Sequence, residues 1–278
     1  MRKSTRPQRV KSVGVVGAGR MGTPIIGHLV RKGFATSACD LDAARAGAVK
    51  KLGARWAASP EALAAESEAI LLCVGFDREV QELLAKDGPL RRARPGAIVA
   101  ILSTIHPKTV QNLAKECESA GLHVVDSTVC RGGEAADKGT LLSFVGGSAK
   151  VVARLKPVLR AYSSDVVHTG GVGTAQVAKA ANNLILWACL VADHEALALA
   201  QHYGADVEAL RRALLMSSCA NGPLEKWGSQ TMAWAEDDMA IVAEMAAQAG
   251  IALPQARVNR EICRELKPRR YKLDVYGR

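Results

Sequence analysis

The sequence predicts an α/β protein in two parts: a doubly wound, mostly parallel sheet, then an all-helical C-terminal domain, joined by a long interdomain helix. Three observations carry this. Strand-like and helix-like segments alternate through the first 168 residues, as in a parallel sheet with helices on both faces. No strand signal of comparable strength follows residue 170. Between the two regions lies one apolar-rich helical stretch, from about 175 to 202 and ended by Gly204. Apolar on all sides after a polar start, it belongs between domains or subunits. The chain of 278 residues, 49% apolar, suits two domains with full cores. The expected layout is a basic tail over 1–11, the sheet domain over 12–168, the helical domain over 169–266 and a second basic tail over 267–278.

The first element is a short apolar strand ending at Val16. It runs into Gly17-x-Gly19-x-x-Gly22 and a helical pattern from Pro24 to Arg31. The second strand, Ala35 to Cys39, closes on Asp40. Strand, glycine turn, helix, strand and acid in this order form the dinucleotide-binding fingerprint of a Rossmann unit. Gly17 permits the tight turn, Gly19 lets backbone approach a pyrophosphate, and Gly22 lets the helix pack on the strand. Ala18, Arg20 and Met21 complete the loop, and the helix N-terminus offers free N–H groups to phosphates. Asp40 suits the two ribose hydroxyls of NAD and repels a 2′-phosphate. Asp42 adds negative charge and no arginine precedes Arg45, so NAD is preferred over NADP. The same Asp40 would also serve to cap the helix starting near Asp42.

Further strands are expected at Ala69–Val74, Ala97–Leu102, His123–Asp126, Leu141–Val145 and Asp165–Val167. Helices between them are expected at Glu61–Glu66, Arg78–Ala85, Lys108–Ala120 and Ala149–Leu159. After the long helix come Asp206–Met216, Asp237–Ala249 and Pro254–Leu266, with Gly250 placed as a C-cap and Pro254 as a helix start.

The net charge of +10 sits mostly at the ends: residues 1–11 carry five cations and no acid, and the body is near neutral. That argues against a nucleic-acid groove, which needs basic and aromatic residues clustered on the fold. The tails read as solvated ends. The start is basic without the apolar core of a signal peptide, and no uninterrupted apolar run reaches membrane-span length, so no membrane partner is expected. Seven scattered cysteines without a CxxC pair fit reduced thiols in the cytoplasm. The six histidines are dispersed and offer no metal-spaced cluster, so no metal is expected. His106 and His168 fall at strand ends, where His168 reads as a satisfied loop residue.

The long helix begins Gly173-Thr174-Ala175-Gln176-Val177-Ala178-Lys179-Ala180-Ala181-Asn182-Asn183. Lys179 and Asn183, at i and i+4, share one helix face. Small and apolar neighbours would desolvate the amine and suit it to acid–base work near neutral pH. Asn183 would hold a substrate oxygen. On spacing alone, a surface lysine beside an asparagine reads equally well.

At this point the chain resembles the β-hydroxyacid dehydrogenase family, which includes 3-hydroxyisobutyrate dehydrogenase, tartronate semialdehyde reductase and, more distantly, 6-phosphogluconate dehydrogenase. Four blocks in order carry the resemblance: Gly17 to Gly22; Ser103-Thr104-Ile105-His106-Pro107; Asp126 to Gly133 with Gly139-Thr140-Leu141; and Gly173 to Asn183. The resemblance implies that Lys179 exchanges a proton with the substrate hydroxyl and that Asn183 positions lysine and substrate. Backbone N–H groups around Cys130, Arg131 and Gly132 would hold a carboxylate. Thr104 and the turn Val74, Gly75 and Phe76 would contact the cofactor on its nicotinamide side. A homodimer or homotetramer is implied.

The chain departs from the family pattern at three places. Cys130 and Arg131 stand where serine and glycine are usual; Arg131 would grip a second anionic group or serve as an outward structural residue. Asp237 falls where the family has a lysine. The segment Ser217–Asp238 is short. The expected function is an NAD-dependent dehydrogenase of a short 3-hydroxy acid, or a reductase of the matching semialdehyde. The alternatives are an imine reductase-like enzyme and a non-catalytic NAD-binding regulatory protein.

Overall fold

The computed structural model describes residues 9–75 and 77–276. The chain divides into two compact units at Lys179/Ala180, later than the expected boundary at 168/169. The physical reason is that the first turn of the long helix is hydrogen-bonded into the sheet unit. The elements of the first unit are β1 (Ser12–Val16), α1 (Gly22–Arg31), β2 (Ala35–Cys39), α2 (Ala46–Lys51), β3 (Arg55–Trp56), α3 (Pro60–Glu66), β4 (Ala69–Leu72) and α4 (Asp77–Leu84). They continue with β5 (Ile98–Ile101), α5 (Pro107–Glu118), β6 (His123–Asp126), β7 (Val129–Cys130), α6 (Gly132–Lys138), β8 (Leu141–Gly146), α7 (Ala149–Leu159) and β9 (Ser163–Gly170).

The strand order is β3-β2-β1-β4-β5-β6-β8-β7, with β9 paired to β8. The run from β3 to β6 is parallel throughout. It has the order of a Rossmann sheet, with the switch point between β1 and β4. β8 then runs antiparallel to β6 and β7 and parallel to β9. The central strands are apolar on both faces because helices cover both. Along β4, Ala69 and Leu71 join one core with Ile25, Leu29 and Ile98, while Ile70 and Leu72 join the other with Leu63, Val99 and Ile101. This is the two-residue period of a strand split between two cores.

The elements the sequence left unassigned are short. β3 and β7 have two residues each, and α6 starts on a glycine pair where no apolar stripe announces a helix.

The second unit holds the remainder of α8 (Thr174–His202), then α9 (Val207–Leu214), α10 (Gly222–Glu225), α11 (Ala235–Ala249) and α12 (Pro254–Leu266). Trp187, Leu190, Val191, Met239, Val242 and Cys263 form its core. Gly250, at φ 67, caps α11 in the left-handed region. α8 is long and apolar enough to cross a membrane by composition. Its polar residues are nevertheless hydrogen-bonded to protein: Gln176 to Ser103, Asp193 to Asn221 and His194 to Leu190.

The expected solvated tail over 267–278 is corrected over its described part. Lys267–Arg269 and Leu273–Val275 are 3-10 turns, and Tyr271 and Tyr276 pack on the core of this unit. The anchor is His194, fully buried, whose Nδ1 is 2.7 Å from the Leu190 carbonyl. Its Nε2 accepts the Tyr271 N–H at 2.9 Å. A ring that donates through Nδ1 and accepts through Nε2 is neutral. The basic residues 1–8 lie outside the described residues, as do 277 and 278.

Burial pushes the His194 pKa below its ordinary 6.5. A depressed folded-state pKa means that this contribution to stability is complete above about pH 6.5 and is lost as pH falls through the folded value. Thermal unfolding followed from pH 7.5 down to pH 5 should show a falling Tm, and His194→Gln, which cannot titrate, should flatten part of that slope. Equal slopes in both proteins would show that His194 contributes nothing to the pH dependence.

Candidate active site

The glycine turn after β1 leaves a cradle that side chains would fill. Gly17, at φ 97, would place a Cβ 2.5 Å from the Cys73 carbonyl oxygen, and a Cβ on Gly22 would lie 1.9 Å from the Gly17 carbonyl oxygen. Only glycine fits at either position. A Cβ on Gly19 would meet only the movable Arg45 guanidinium, at 3.0 Å, so the backbone there is open to a phosphate. α1 has no acid in its first turn, and its N-terminus presents a positive dipole end to the cradle. These features fit a dinucleotide. Of the other loop residues, Ala18 donates its N–H to Asp40 Oδ2 at 2.7 Å. Met21 packs against the core, and Arg20 makes two bonds of 2.8 and 2.7 Å to Asp137 of α6.

Asp40 therefore ends β2 with its carboxylate turned toward the glycine loop. It also accepts the Asp42 N–H at 2.9 Å and Arg45 Nη1 at 3.1 Å. Asp42, rather than Asp40, caps the following turn, through Ala44 N–H.

The second edge of the site is the turn after β4. Ser103 donates to the Val74 carbonyl at 2.7 Å, and Gly75 donates its N–H to Glu79 at 2.6 Å. Thr104 is half-buried beside them in sequence; Phe76 lies outside the described residues. Gln176, buried in the first turn of α8, holds this segment from the other side. Its Oε1 accepts the Ile105 N–H at 3.0 Å and its Nε2 donates to the Ser103 carbonyl at 2.8 Å.

The start of α8 is fixed by a buried carboxylate. Asp126, at the end of β6, accepts Gly173 N–H at 2.8 Å and Gln176 N–H at 3.0 Å. Thr128 Oγ1 donates to the Ala175 carbonyl at 3.0 Å. Burial pushes the Asp126 carboxyl pKa up, and backbone N–H donors oppose the shift. Gly146 lies so close that a Cβ there would be 2.4 Å from Asp126 Oδ1. Helix α8 then delivers Lys179, whose Nζ donates to the Val129 carbonyl at 2.8 Å and lies 4.0 Å from Cys130 Sγ.

Lys179 thus meets the Val129–Cys130 strand directly. Asn183 follows one turn later on α8. It is buried, with Oδ1 accepting from Asn182 at 3.0 Å and Nδ2 without an acceptor among the described residues.

Arg131 is left-handed at φ 83, and Gly132 follows at φ 76. The Arg131 side chain is held by Thr140 and by Ser164 and Asp165 of β9. Its Nη1 bonds Asp165 at 2.7 Å, Ser164 at 2.8 Å and the Thr140 carbonyl at 3.1 Å. Asp237 is exposed in the first turn of α11, where an acid suits the helix dipole. His168 is a structural residue of β9, with Nε2 at 2.8 and 2.9 Å from two carbonyls.

Sequence reasoning passed over the positioning roles of Gln176 and Asp126. The available signals were an acid closing the apolar strand His123–Asp126, and a glutamine within an otherwise small and apolar first turn. Asp126→Asn would set an amide donor against backbone donors in a space closed by Gly146. A loss of roughly 2 kcal/mol in a urea titration is expected, the size of an unsatisfied buried donor. Unchanged stability would show that the carboxylate does not hold the helix.

Two family models together match nearly the whole chain. The NAD binding domain of 6-phosphogluconate dehydrogenase matches residues 12–171, and the NAD-binding domain of NADP-dependent 3-hydroxyisobutyrate dehydrogenase matches residues 173–274. A 3-hydroxyisobutyrate dehydrogenase of Pseudomonas aeruginosa is 32% identical over 76% of this chain and 72% of its own length. The NAD-dependent L-serine dehydrogenase of the same organism is 29% identical over 78% of this chain and 73% of its own. Among solved structures, a Mycobacterium tuberculosis 3-hydroxyisobutyrate dehydrogenase with L-serine superposes with a TM-score of 0.85 at 23% identity, covering 94% of each chain. With a glycine cradle, a lysine at the start of α8 and these matches, the chain belongs to the β-hydroxyacid dehydrogenase family and is an NAD(P)-dependent hydroxyacid dehydrogenase.

Proposed function

We propose that this enzyme interconverts a short 3-hydroxy acid bearing a single carboxylate with its semialdehyde or keto form, prefers NAD, and uses Lys179 as the proton-transferring group. The observation that carries the reading is Lys179 Nζ held at 2.8 Å by the Val129 carbonyl, beside the loop Cys130-Arg131-Gly132. Bound nicotinamide supplies or takes up the hydride. The protein does the rest. One N–H of the amine is fixed on Val129, and its remaining valences face the proton exchange with the substrate hydroxyl. The backbone N–H groups around Cys130, Arg131 and Gly132, where the chain turns through two left-handed residues into α6, are assigned to the substrate carboxylate. Asn183, whose buried Nδ2 lacks an acceptor among the described residues, is assigned to the substrate oxygen.

Arg131 acts through its backbone, because its guanidinium is already held by Asp165. That favours a small acid with one anionic group over one with a second. The names of the relatives point to 3-hydroxyisobutyrate and L-serine as the first acids to try. The NAD preference rests on Asp40 at the end of β2. A homodimer or homotetramer is the assembly proposed, supported by Ile185 and Leu199, apolar yet 63% and 61% exposed on α8. The cytoplasm is the proposed compartment: all seven cysteines lie among the described residues and are free.

NADH formation should be measured with 3-hydroxyisobutyrate, L-serine and glycerate, with 4-hydroxybutyrate as a spacing control. Turnover that falls by about a hundredfold or more in Lys179→Ala, the loss of a general acid–base, is the expected result, with NADH binding unchanged. A Lys179→Ala enzyme of near wild-type kcat sinks the lysine assignment. NADH binding without turnover on any acid favours the imine reductase-like or regulatory alternatives. Arg131→Gly relaxes a left-handed position by roughly 1 kcal/mol, offsetting the exposed Asp165 pair. We expect KM for small acids to stay within a few-fold and stability to hold. A large rise in KM would return the guanidinium to the substrate site.

A further inference from the structure

We infer that a basic cleft at the amino-terminal edge of the sheet, lined by Arg9, Arg94 and Arg154, binds a small phosphorylated molecule. The cleft has a volume of about 320 Å³, the size of a small-molecule site. Its walls come from four places in the sheet unit. Arg9 precedes β1, Glu68 precedes β4, residues 94–97 precede β5, and Arg154 belongs to α7. The glycine turn, by contrast, follows the carboxyl end of β1, and the turn at Val74 follows that of β4. The cleft is therefore at the opposite ends of the same strands from the dinucleotide cradle, and the inference does not rest on the function proposed above.

The cleft carries charge that the protein does not itself neutralise. Among the described residues, none of the three arginines forms an ion pair with a carboxylate. Arg94 is engaged only by neutral oxygens. Its Nε donates to the Ser67 carbonyl at 3.2 Å, and its Nη2 to Ser12 Oγ at 3.0 Å and the Glu66 carbonyl at 2.8 Å. Those bonds fix the guanidinium across the starts of β1 and β4 and leave its charge in place. Arg154 donates from Nη1 to the Gly96 carbonyl at 3.3 Å, while its buried Nε has no partner among the described residues. A buried donor without an acceptor is costly, and a bound oxygen removes that cost. Glu68 is the one acid in the lining. Its Oε2 already accepts the Lys11 and Ser12 N–H groups at 2.5 and 3.3 Å. Three cations against one acid leave a concave surface of positive sign, which concentrates anions. Guanidinium groups pair strongly with phosphate. A tetrahedral phosphate offers oxygens to more than one guanidinium at once, whereas a planar carboxylate presents a single edge. The volume leaves room beyond one phosphate, for a second phosphate or a small organic body.

Pyrophosphate is the probe, titrated by calorimetry at constant ionic strength, with and without saturating NADH. Citrate is titrated in the same way as the carboxylate comparison. Wild type should bind one pyrophosphate that NADH does not displace. Arg154→Ala and Arg9→Ala should each weaken that binding by about tenfold or more, the loss of one charge-assisted pair. Arg154→Lys, which keeps the charge without the planar fork, should fall between wild type and Arg154→Ala. Arg9 is exposed ahead of β1, so Arg9→Ala should keep the wild-type Tm and report on binding alone. Citrate should bind more weakly than pyrophosphate by about fivefold or more, as expected if several guanidinium forks share one tetrahedral group. Wild type that does not bind pyrophosphate overturns the inference. So does pyrophosphate fully displaced by NADH, which places it on the glycine cradle, or binding unchanged in both alanine variants. Citrate bound as tightly as pyrophosphate overturns the assignment to phosphate. None of these failures touches the proposed dehydrogenase, whose turnover is measured separately.

Discussion

A carboxylate buried at the carboxyl end of β6 is the constraint on which the site depends. Asp126 accepts the N–H groups of Gly173 and Gln176, donors that the first turn of a helix otherwise leaves unsatisfied. One acid thereby fixes the first turns of α8, Thr174 to Lys179, against the sheet, and Lys179 lies within two turns of the anchor. Burial raises the Asp126 pKa, so ionised Asp126 lowers stability at neutral pH relative to a solvated acid. The chain keeps it because no apolar residue could hold two backbone donors at a fixed point. Stability is given up where position matters, as buried charged groups at sites commonly require.

Gln176 carries that position to the other edge of the site. It bonds the backbone on both sides of Thr104, and Ser103 bonds Val74 in turn. The residues assigned to the nicotinamide side and the lysine are thus tied by one chain of hydrogen bonds. Most of them are shielded from water, where such bonds are stronger and their loss costs more. The glycine cradle contributes a different kind of precision. There, close approach of backbone to backbone at Gly17 and Gly22 excludes every side chain, and the charge around it is set by the Asp40–Arg45 pair.

Much of this was legible in the sequence, for identifiable reasons. β2, β6, α7 and α12 fall where apolar period and end signals placed them, and the glycine spacing alone marked the cradle. Lys179 and Asn183 were singled out by helix spacing; the contact of Lys179 with the Val129 carbonyl and Cys130 was not named by the sequence. The rest depended on contacts distant in sequence. Arg45 lies five residues past Asp40 and read as too far away, until a capped 3-10 turn folded it back. Arg131 read as a possible substrate grip because its partner, Asp165, is far along the chain on β9. The helical role of Gly132–Lys138 was hidden by its glycines. The ordered turns after Leu266 were hidden by their basic composition, since the determining contact is a neutral histidine, His194, accepting from the Tyr271 backbone. Composition describes a segment's preference in water; a single buried acceptor can override it.

The most direct test of the account is a crystal structure of the enzyme with NADH and an unreactive analogue of a 3-hydroxy acid. The account predicts the analogue's carboxylate on the backbone N–H groups of residues 131 and 132, and its hydroxyl oxygen within about 3 Å of Lys179 Nζ, hydrogen-bond reach for a general acid–base. An analogue bound elsewhere, with Lys179 still engaged only by Val129, would contradict it.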